Sequence, residues 1–418
     1  MALRVGLLHY TAPPVVGGVE AVLGRHARLL ADAGHSVRVI AGRGRSRDRR
    51  IELFRVPLAD TRHPAIRVAR AALDAGDVPA VFDGLVDELE AVLREAVAGL
   101  DVLVAHNACG LHFNLPLTAA LRRLAGTTVA PPLVAWQHDL AWASEQHRPA
   151  LHPGAPWDLL RTPWPRTTYV TISASRQADQ VRLSGLRPDE VRIVPNGIDV
   201  DGLLGLHPGT RQVIDSLGLA RSGVWPVLLV PVRITPRKNL ELALRVLAVL
   251  RADGTDARLV VTGPADPHAR GTDAGVSALR KLADRLGVSA AVHLLAVDRG
   301  RRTPTRVVTD LFRVADALLL PSRDEGFGLP VLEAAVSRLP IVCADLPTLR
   351  EVAGDDASYF DPDADPEPVA ELLRRRLEAD PTARLAARTR SAYDWEAIFA
   401  TQIEPLLREV AGRRGRED

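Results

Sequence analysis

Pro321-Ser-Arg-Asp-Glu-Gly-Phe-Gly-Leu-Pro-Val-Leu-Glu333 follows the short apolar run Ala317–Leu320. The run has strand length, and Pro330 suits the first position of a helix continuing through Ala334 and Ala335, where no N–H is needed. Strand, glycine-bearing turn and helix form the repeating unit of an α/β sheet. Gly326 and Gly328 let backbone approach a ligand closely, and the free amides of the helix start suit a phosphate. Glu325 and Glu333, with seven residues between them, offer carboxylates from the loop and from the first helical turns to two different hydroxyl groups. The plain alternative is a connector with solvated acids. A tight Gly-Phe-Gly turn flanked by acids resembles a ligand cradle more than a connector.

Outward from this stretch, apolar runs of strand length alternate with helix-period segments, the pattern of parallel sheets with crossover helices. In the second half the expected strands are Val227–Val232, Arg258–Thr262, Val292–Val297, Ala317–Leu320, Ile341–Ala344 and Tyr359–Phe360, with helices at Asn239–Arg251 and Val276–Leu286. In the first half they are Leu3–His9, Ser36–Ile40, Val102–Ala105, Leu133–Trp136, Tyr169–Ile172 and Val191–Val194, with helices at Gly18–Ala33, Leu115–Leu124 and Arg176–Leu183. The stretch 58–100 reads as an insertion or extra helix pair, residues 201–226 as a linker, and everything from Pro366 onward as helical.

A chain of 418 residues exceeds what one core organises, so two domains are expected, residues 1–205 and 222–392. Hydrophobic residues at 47% and charged residues at 25% are ordinary for a globular protein, and no apolar run reaches the length of a membrane span. The N-terminal run reads as a strand rather than a signal peptide, and Cys109 and Cys343 lack partners at metal-ligand spacing. A reducing, cytoplasmic setting without disulfide or metal site is therefore expected. The net charge of +2 comes from interspersed charges, which argues against nucleic acid as a partner. Arg43-Gly-Arg-Ser-Arg-Asp-Arg-Arg50 is the locally basic exception, a solvated loop or a face for an anionic acceptor or a membrane surface.

Lysine and asparagine are scarce. Only Lys238 and Lys281, and Asn107, Asn114, Asn196 and Asn239, occur. In such an arginine-rich chain, of the kind a GC-rich genome encodes, the survivors mark places where Arg or Asp would not serve.

Glu325-Gly-Phe-Gly-Leu-Pro-Val-Leu-Glu333 resembles the E-x7-E motif of the retaining glycosyltransferase family 4, in the GT-B superfamily. Three further stretches are similar in the family's order: Gly17-Gly18-Val-Glu20 after the first strand, Val194-Pro-Asn-Gly-Ile-Asp199, and Arg233-Ile-Thr-Pro-Arg-Lys-Asn239 after the second half's first strand. The resemblance spans nearly the whole chain and implies a GT-B fold, two facing Rossmann-like domains with parallel sheets and a donor cleft between them. It also implies that the N-terminal domain binds the acceptor, the C-terminal domain the donor, and that a helix at about 393–418 crosses back to the first domain.

The family carries over a hexosyl transfer with retention, from a nucleotide-diphosphate sugar such as UDP-, GDP- or ADP-hexose, to a small-molecule, glycan or lipid-linked acceptor. No cofactor or metal is implied, and peripheral membrane contact is compatible with it. Arg233 and Lys238 would hold the diphosphate, where fixed cations stabilise a leaving group that gains charge. Glu325 would bind the transferred sugar and Glu333 the ribose. The amides of Gly326, Phe327, Gly328 and Leu329 would serve sugar and phosphate, and Gly17 and Gly18 would let a helix N-terminus approach the diphosphate. His138 matches the family's histidine near the reacting sugar; a structural imidazole is the alternative. Catalysis is thus assigned to His138, Glu325, Arg233 and Lys238.

His106, Asn107, His112 and Asn114 cluster near a strand end, as an acceptor site or as a cap and buried amide network. Ser173 belongs to a family-like turn that N-capping explains equally well. Ala296 stands where the family often has glycine, beside the expected base pocket. Asp361-Pro-Asp-Ala-Asp365 reads as a turn rather than a metal motif. The rival readings are a GT-B-like nucleotide-sugar epimerase and a non-catalytic nucleotide-sugar-binding module.

Overall fold

A computed structural model describes residues 1–221, 223–265 and 272–413. Two compact units result, Met1–Gly197 with Ile398–Asp418, and Ile198–Ala397. Residues 414–418 of the C-terminal segment lie outside the described residues.

The first unit holds strands β1 (Arg4–Thr11), β2 (Ser36–Arg43), β3 (Ile51–Arg55), β4 (Val102–His106), β5 (Leu133–Gln137), β6 (Thr167–Thr171) and β7 (Val191–Ile193). They form one parallel sheet in the order β3-β2-β1-β4-β5-β6-β7. The central strands β4 and β5 are buried along their whole length, which is why they read as unbroken apolar runs: helices cover both faces of a parallel sheet. Asn114 caps the helix Leu115–Ala125, its side chain accepting from the Leu117 amide at 3.1 Å. Ser173 caps Ala174–Ser184 in the same way.

The second unit holds β8 (Val227–Val230), β9 (Arg258–Val261), β10 (Val292–Leu294), β11 (Ala317–Leu320), β12 (Ile341–Ala344) and β13 (Ser358–Phe360). Its parallel sheet runs β10-β9-β8-β11-β12-β13. Leu318, Leu319 and Leu320 are wholly buried in the same apolar core as Leu228, Val246 and Leu247. Truncating one of these leucines to alanine costs about 2–5 kcal/mol, from lost transfer energy and the cavity left behind.

Residues 58–100 follow the second of their two readings, a helix pair: helices Pro64–Asp74 and Phe82–Ala96 carry the chain from β3 to β4, with Ile66, Leu73, Leu89 and Leu93 wholly or almost wholly buried in the first core. Two sequence expectations change. Residues 201–226 are no open linker. Helices Val200–Leu204 and Pro208–Ser216 occupy them, and Val213, Ile214, Leu219 and Val224 join the second core. Glycine and proline here cap helices rather than loosen the chain: Gly205 ends one in a left-handed conformation at φ 61° and Pro208 opens the next. The apolar run from Val292 leaves the sheet after Leu294, because the Asp298 carboxylate accepts from the Leu294 amide at 2.8 Å and turns Leu295–Asp298 into helix.

Candidate active site

In each sheet the strand order reverses beside the unit's first strand, between β1 and β4 and between β8 and β11. Loops leaving the carboxyl ends of two such strands diverge, and ligands of open α/β sheets bind in the crevice they leave.

In the second unit that crevice is charged. Pro231-Val-Arg233 leaves β8, and a short helical turn, Pro236–Lys238, brings Lys238 back under the loop that leaves β11. Lys238 Nζ lies 2.5 Å from Glu325 Oε1, with side chains only 10% and 8% exposed. The Ser322 hydroxyl donates to the same oxygen at 2.7 Å, and the Thr348 hydroxyl donates to the Glu325 carbonyl at 3.1 Å. Asn239, left-handed at φ 51°, donates to the Pro362 carbonyl at 2.9 Å and accepts from Arg323 at 2.8 Å. It thereby ties together the loops after β8, β11 and β13. Arg233 is exposed and has no ion-pair partner among the described residues.

Arg233, Thr235, Lys238, Glu325, Phe327, Gly328 and Leu329 line one cleft of about 660 Å³. Gly328 starts the helix Leu329–Val336 at φ 90°, and a Cβ there would lie 2.6 Å from Leu349, so glycine is required on both counts. A Cβ on Gly326 would meet nothing within 4 Å; this part of the loop stands open. Glu333 sits exposed on the helix and is not among the residues lining the cleft; partial burial raises its pKa from the ordinary glutamate value.

The crevice of the first unit is lined by buried imidazoles, with the carboxylates at its border: Glu20 Oε1 lies 3.9 Å from His9 Nε2, and Asp139 accepts from the Asn107 side-chain amide at 3.3 Å. His9, His26, His106 and His138 are each 5% exposed or less. The His9 Nδ1–H donates to the His106 carbonyl at 2.8 Å, and His106 Nδ1 lies 3.1 Å from His138 Nε2 with the rings stacked. Burial holds all four imidazoles in the neutral form, with His138 lowered to about 4 and His26 to about 3. His138 can therefore exchange hydrogen bonds at neutral pH but not carry charge. Asn107, at φ 56°, accepts from the amides of His138 at 2.7 Å and Asp139 at 3.1 Å, clamping the end of β4 to the end of β5.

Gly17 precedes the helix Gly18–Asp32, and the Glu20 side chain folds back over it: a Cβ on Gly17 would sit 2.0 Å from Glu20 Oε2. The Thr11 hydroxyl donates to Glu20 Oε1 at 2.5 Å. A Cβ on Gly18 meets nothing within 4 Å. His112 and Asn114 belong to different surroundings. Asn114 donates to the Leu58 carbonyl at 2.8 Å besides capping its helix, so its amide is engaged by the fold. Buried His112, lowered to about 4 by desolvation, packs on Phe113 and His147 with Asp74 3.9 Å away.

Two family descriptions match, Glycosyltransferase Family 4 over residues 16–201 and Glycosyl transferases group 1 over residues 223–392. The D-inositol 3-phosphate glycosyltransferases of Mycobacterium tuberculosis (strain ATCC 25618 / H37Rv) and Mycobacterium bovis (strain ATCC BAA-935 / AF2122/97) are each 30% identical over 424 residues, covering 94% of this chain and 80% of theirs. The chain belongs to the GT4-type glycosyltransferases of the GT-B fold. Among solved structures, WaaG, a glycosyltransferase involved in lipopolysaccharide biosynthesis, aligns over 97% of this chain and 98% of its own at 19% identity and a TM-score of 0.34. Anabaena Alr3699/HepE, in complex with UDP and glucose, aligns over 97% and 99% at 19% identity and 0.35.

A GT4-type glycosyltransferase uses a nucleotide-sugar donor and an acceptor. No helix among the described residues is long and apolar enough to cross a membrane. Sequence reading missed several residues that shape the transferase's charged crevice. Ser322, wholly buried, orients Glu325, and Thr235 Oγ1 is buried on the cleft wall without a hydrogen-bond partner among the described residues. Gly263 lets the loop after β9 press on the Arg233 loop: a Cβ would lie 2.2 Å from the Val232 carbonyl oxygen and 2.7 Å from the Arg233 amide. A glycine directly after a strand, as in Val260-Val-Thr-Gly263, was the available signal.

Proposed function

We propose that this transferase moves a hexose, glucose or mannose, from a nucleotide-diphosphate sugar to its acceptor with retention of configuration and without a metal ion. The observation that carries the reading is the Lys238–Glu325 pair beneath the cleft that Arg233 edges. Glu325 holds the ammonium in place before any substrate arrives, so no reorganisation is needed when charge develops on the departing diphosphate. Arg233 adds a second cation, leaving the trio net positive. Both protein donors to the Glu325 carboxylate, Lys238 and Ser322, use Oε1. Oε2 is the oxygen that accepts from a hexose hydroxyl.

In the transfer, the bond from the anomeric carbon to the diphosphate oxygen breaks and the acceptor oxygen bonds to that carbon on the same face. The acceptor proton passes to the departing diphosphate. A base is not asked of His138, whose lowered basicity leaves it a neutral hydrogen-bonding group. Glu333 is assigned to the ribose and the loop amides of Gly326–Leu329 to sugar and phosphate. The mycobacterial relatives are named for D-inositol 3-phosphate, which makes that compound the first acceptor to assay.

The test incubates the protein with UDP-, GDP- and ADP-glucose and their mannose counterparts, with chelator, with and without D-inositol 3-phosphate or other polyols. The expected result is acceptor-dependent release of one nucleoside diphosphate and a product whose anomeric configuration, read by NMR, matches the donor's. An inverted product, a strict metal requirement, or no turnover of any donor refutes the reading.

A further inference from the structure

The connection from β2 to β3 leaves a second, separate site in the first unit. The two strands are parallel, with Val37 opposite Ile51 and Ala41 opposite Arg55, so residues 44–50 must return the chain from Arg43 to the level of Val37. That is about 20 Å of strand, whereas the same residues wound as helix would span about 10 Å. The segment therefore runs as a stretched strap where a crossover helix would normally cover the sheet.

Both ends of the strap are pinned. Gly44, at φ 144°, packs so closely on Ala12 that a Cβ would lie 2.8 Å from the Ala12 carbonyl oxygen, and the Arg45 amide donates to the Pro13 carbonyl at 2.9 Å. At the other end Arg50 pairs with Asp48 at 2.6 Å and with Asp32, the last residue of the helix Gly18–Asp32, at 2.8 Å. Beneath the strap lies a cavity of about 370 Å³, floored by Leu23, Ala27, Val39, Ile51 and Leu53. Its size falls within the range of small-molecule sites, ~300–1,000 Å³.

The rim is cationic. Arg28, Arg45 and Arg47 line the cavity, are exposed, and have no ion-pair partner among the described residues. Asp48 is the acid on the same wall; hydrogen bonds from Arg50, which it shares with Asp32, hold its carboxyl at about 2, with Arg28 adding to the effect. An apolar floor ringed by three guanidinium groups and one carboxylate, a net positive rim, complements one ligand chemistry: a hydrocarbon chain ending in an anionic head, which arginine binds through paired N–H donors.

We propose that this cavity binds the hydrocarbon part of an anionic amphiphile, with its phosphate head on Arg45 and Arg47. The site is distinct from the charged crevice of the second unit, and its occupancy is read directly by binding, independently of glycosyl transfer.

The test titrates the full chain with dodecyl phosphate below its micellar concentration, and with dodecanol, by calorimetry. Saturable binding of dodecyl phosphate is expected, weakened about tenfold or more in the double variant Arg45→Glu/Arg47→Glu. Both positions are exposed, so the fold tolerates the change. Leu53→Trp, at a half-buried position on the floor, should abolish binding of both compounds. Flotation with vesicles of phosphatidylcholine, with and without phosphatidic acid, separates the sources: capture only by the acidic vesicles assigns the head to a bilayer lipid, and binding only of free dodecyl phosphate assigns it to a soluble amphiphile. Absence of binding in every arm, or wild-type affinity in the charge-reversed variant, overturns the proposal.

Discussion

The two sheets share one strand order, to which the first adds β7, and put different chemistry at the same place. At the reversal point of the second sheet, Arg233, Lys238 and Glu325 bring two cations and an anion to an open cleft. At that of the first, four histidines, Trp136 and Asn107 form a buried neutral cluster held by rings and amides. Strand order thus decides where a crevice forms, and the few residues after each strand decide its character: paired charges beside an open cleft in one unit, buried imidazoles in the other.

The sharpest way to break this comparison is to remove charge from the second crevice. Glu325→Ala or Lys238→Ala should lower the rate of transfer by about 10²–10³-fold, the usual loss for one preorganised electrostatic contact, while circular dichroism stays that of the folded chain. Full activity in either well-folded variant would remove these residues from the site. The same pair has a stability signature. Lys238→Met leaves the Glu325 carboxylate buried without its partner and should cost about 3–5 kcal/mol, whereas adding Glu325→Gln should recover most of the loss. Chemical denaturation of the three proteins measures it, and equal stability of the single and double variants would mean the pair is not coupled.

In the imidazole-lined crevice the expected effect is smaller and structural. Asn107→Ala strands the amides of His138 and Asp139 and should cost about 2–3 kcal/mol, seen by hydrogen exchange as faster opening at the ends of β4 and β5 and not in β8–β13. An unchanged exchange pattern would deny Asn107 its clamping role.

Acid should then separate the two units. His26, His112 and His138 stay neutral in the fold down to about 3–4 but bind protons near 6.5 when unfolded. Protons therefore favour the unfolded chain between those values, and stability present above pH 6.5 is lost as pH falls towards 4. In the second unit Asp394, raised to about 6 by burial, works the other way: its contribution is fullest at low pH and is lost as pH rises through 6. The lowered His293 offsets part of it. Hydrogen exchange between pH 7.5 and 4.5 should show the first unit loosening first. Loosening of the second unit before it would overturn the assignment of the histidines as buried neutral groups.

How much of this was legible in the sequence depends on what each residue answers to. Fully buried central strands could be placed almost to the residue: Ala317–Leu320 and Ile341–Ala344 needed no change, because burial on both faces leaves an unbroken apolar run. The edge strand β3 escaped notice, since Ile51-Glu-Leu-Phe-Arg55 is a short apolar stretch broken by Glu52, ended by Arg55 and only partly covered. Residues 201–226 read as linker because glycine and proline cap short helices as readily as they break long ones.

The scarcity of lysine and asparagine pointed to positions with demanding geometry. Asn107 and Asn239 take left-handed conformations and bridge loops, and Lys238 meets Glu325. It did not separate ligand contacts from scaffolding, as the cap at Asn114 shows. Motif spacing singled out Arg233, Lys238 and Glu325, and the fold brings them to one cleft because each lies shortly after a strand end. Ser322, Thr235 and Gly263 matter through contacts across separate loops, which spacing along the chain does not encode.

The most direct test of the central claim, that the second unit's charged crevice holds the donor diphosphate, is calorimetric titration of UDP, GDP and ADP into the wild-type protein and into Arg233→Gln. Arg233 is exposed and unpaired among the described residues, so its replacement leaves the fold intact. The account predicts saturable binding of one of the three, weakened about tenfold or more by the substitution. Binding that is indifferent to Arg233, or none to any nucleotide, would contradict it.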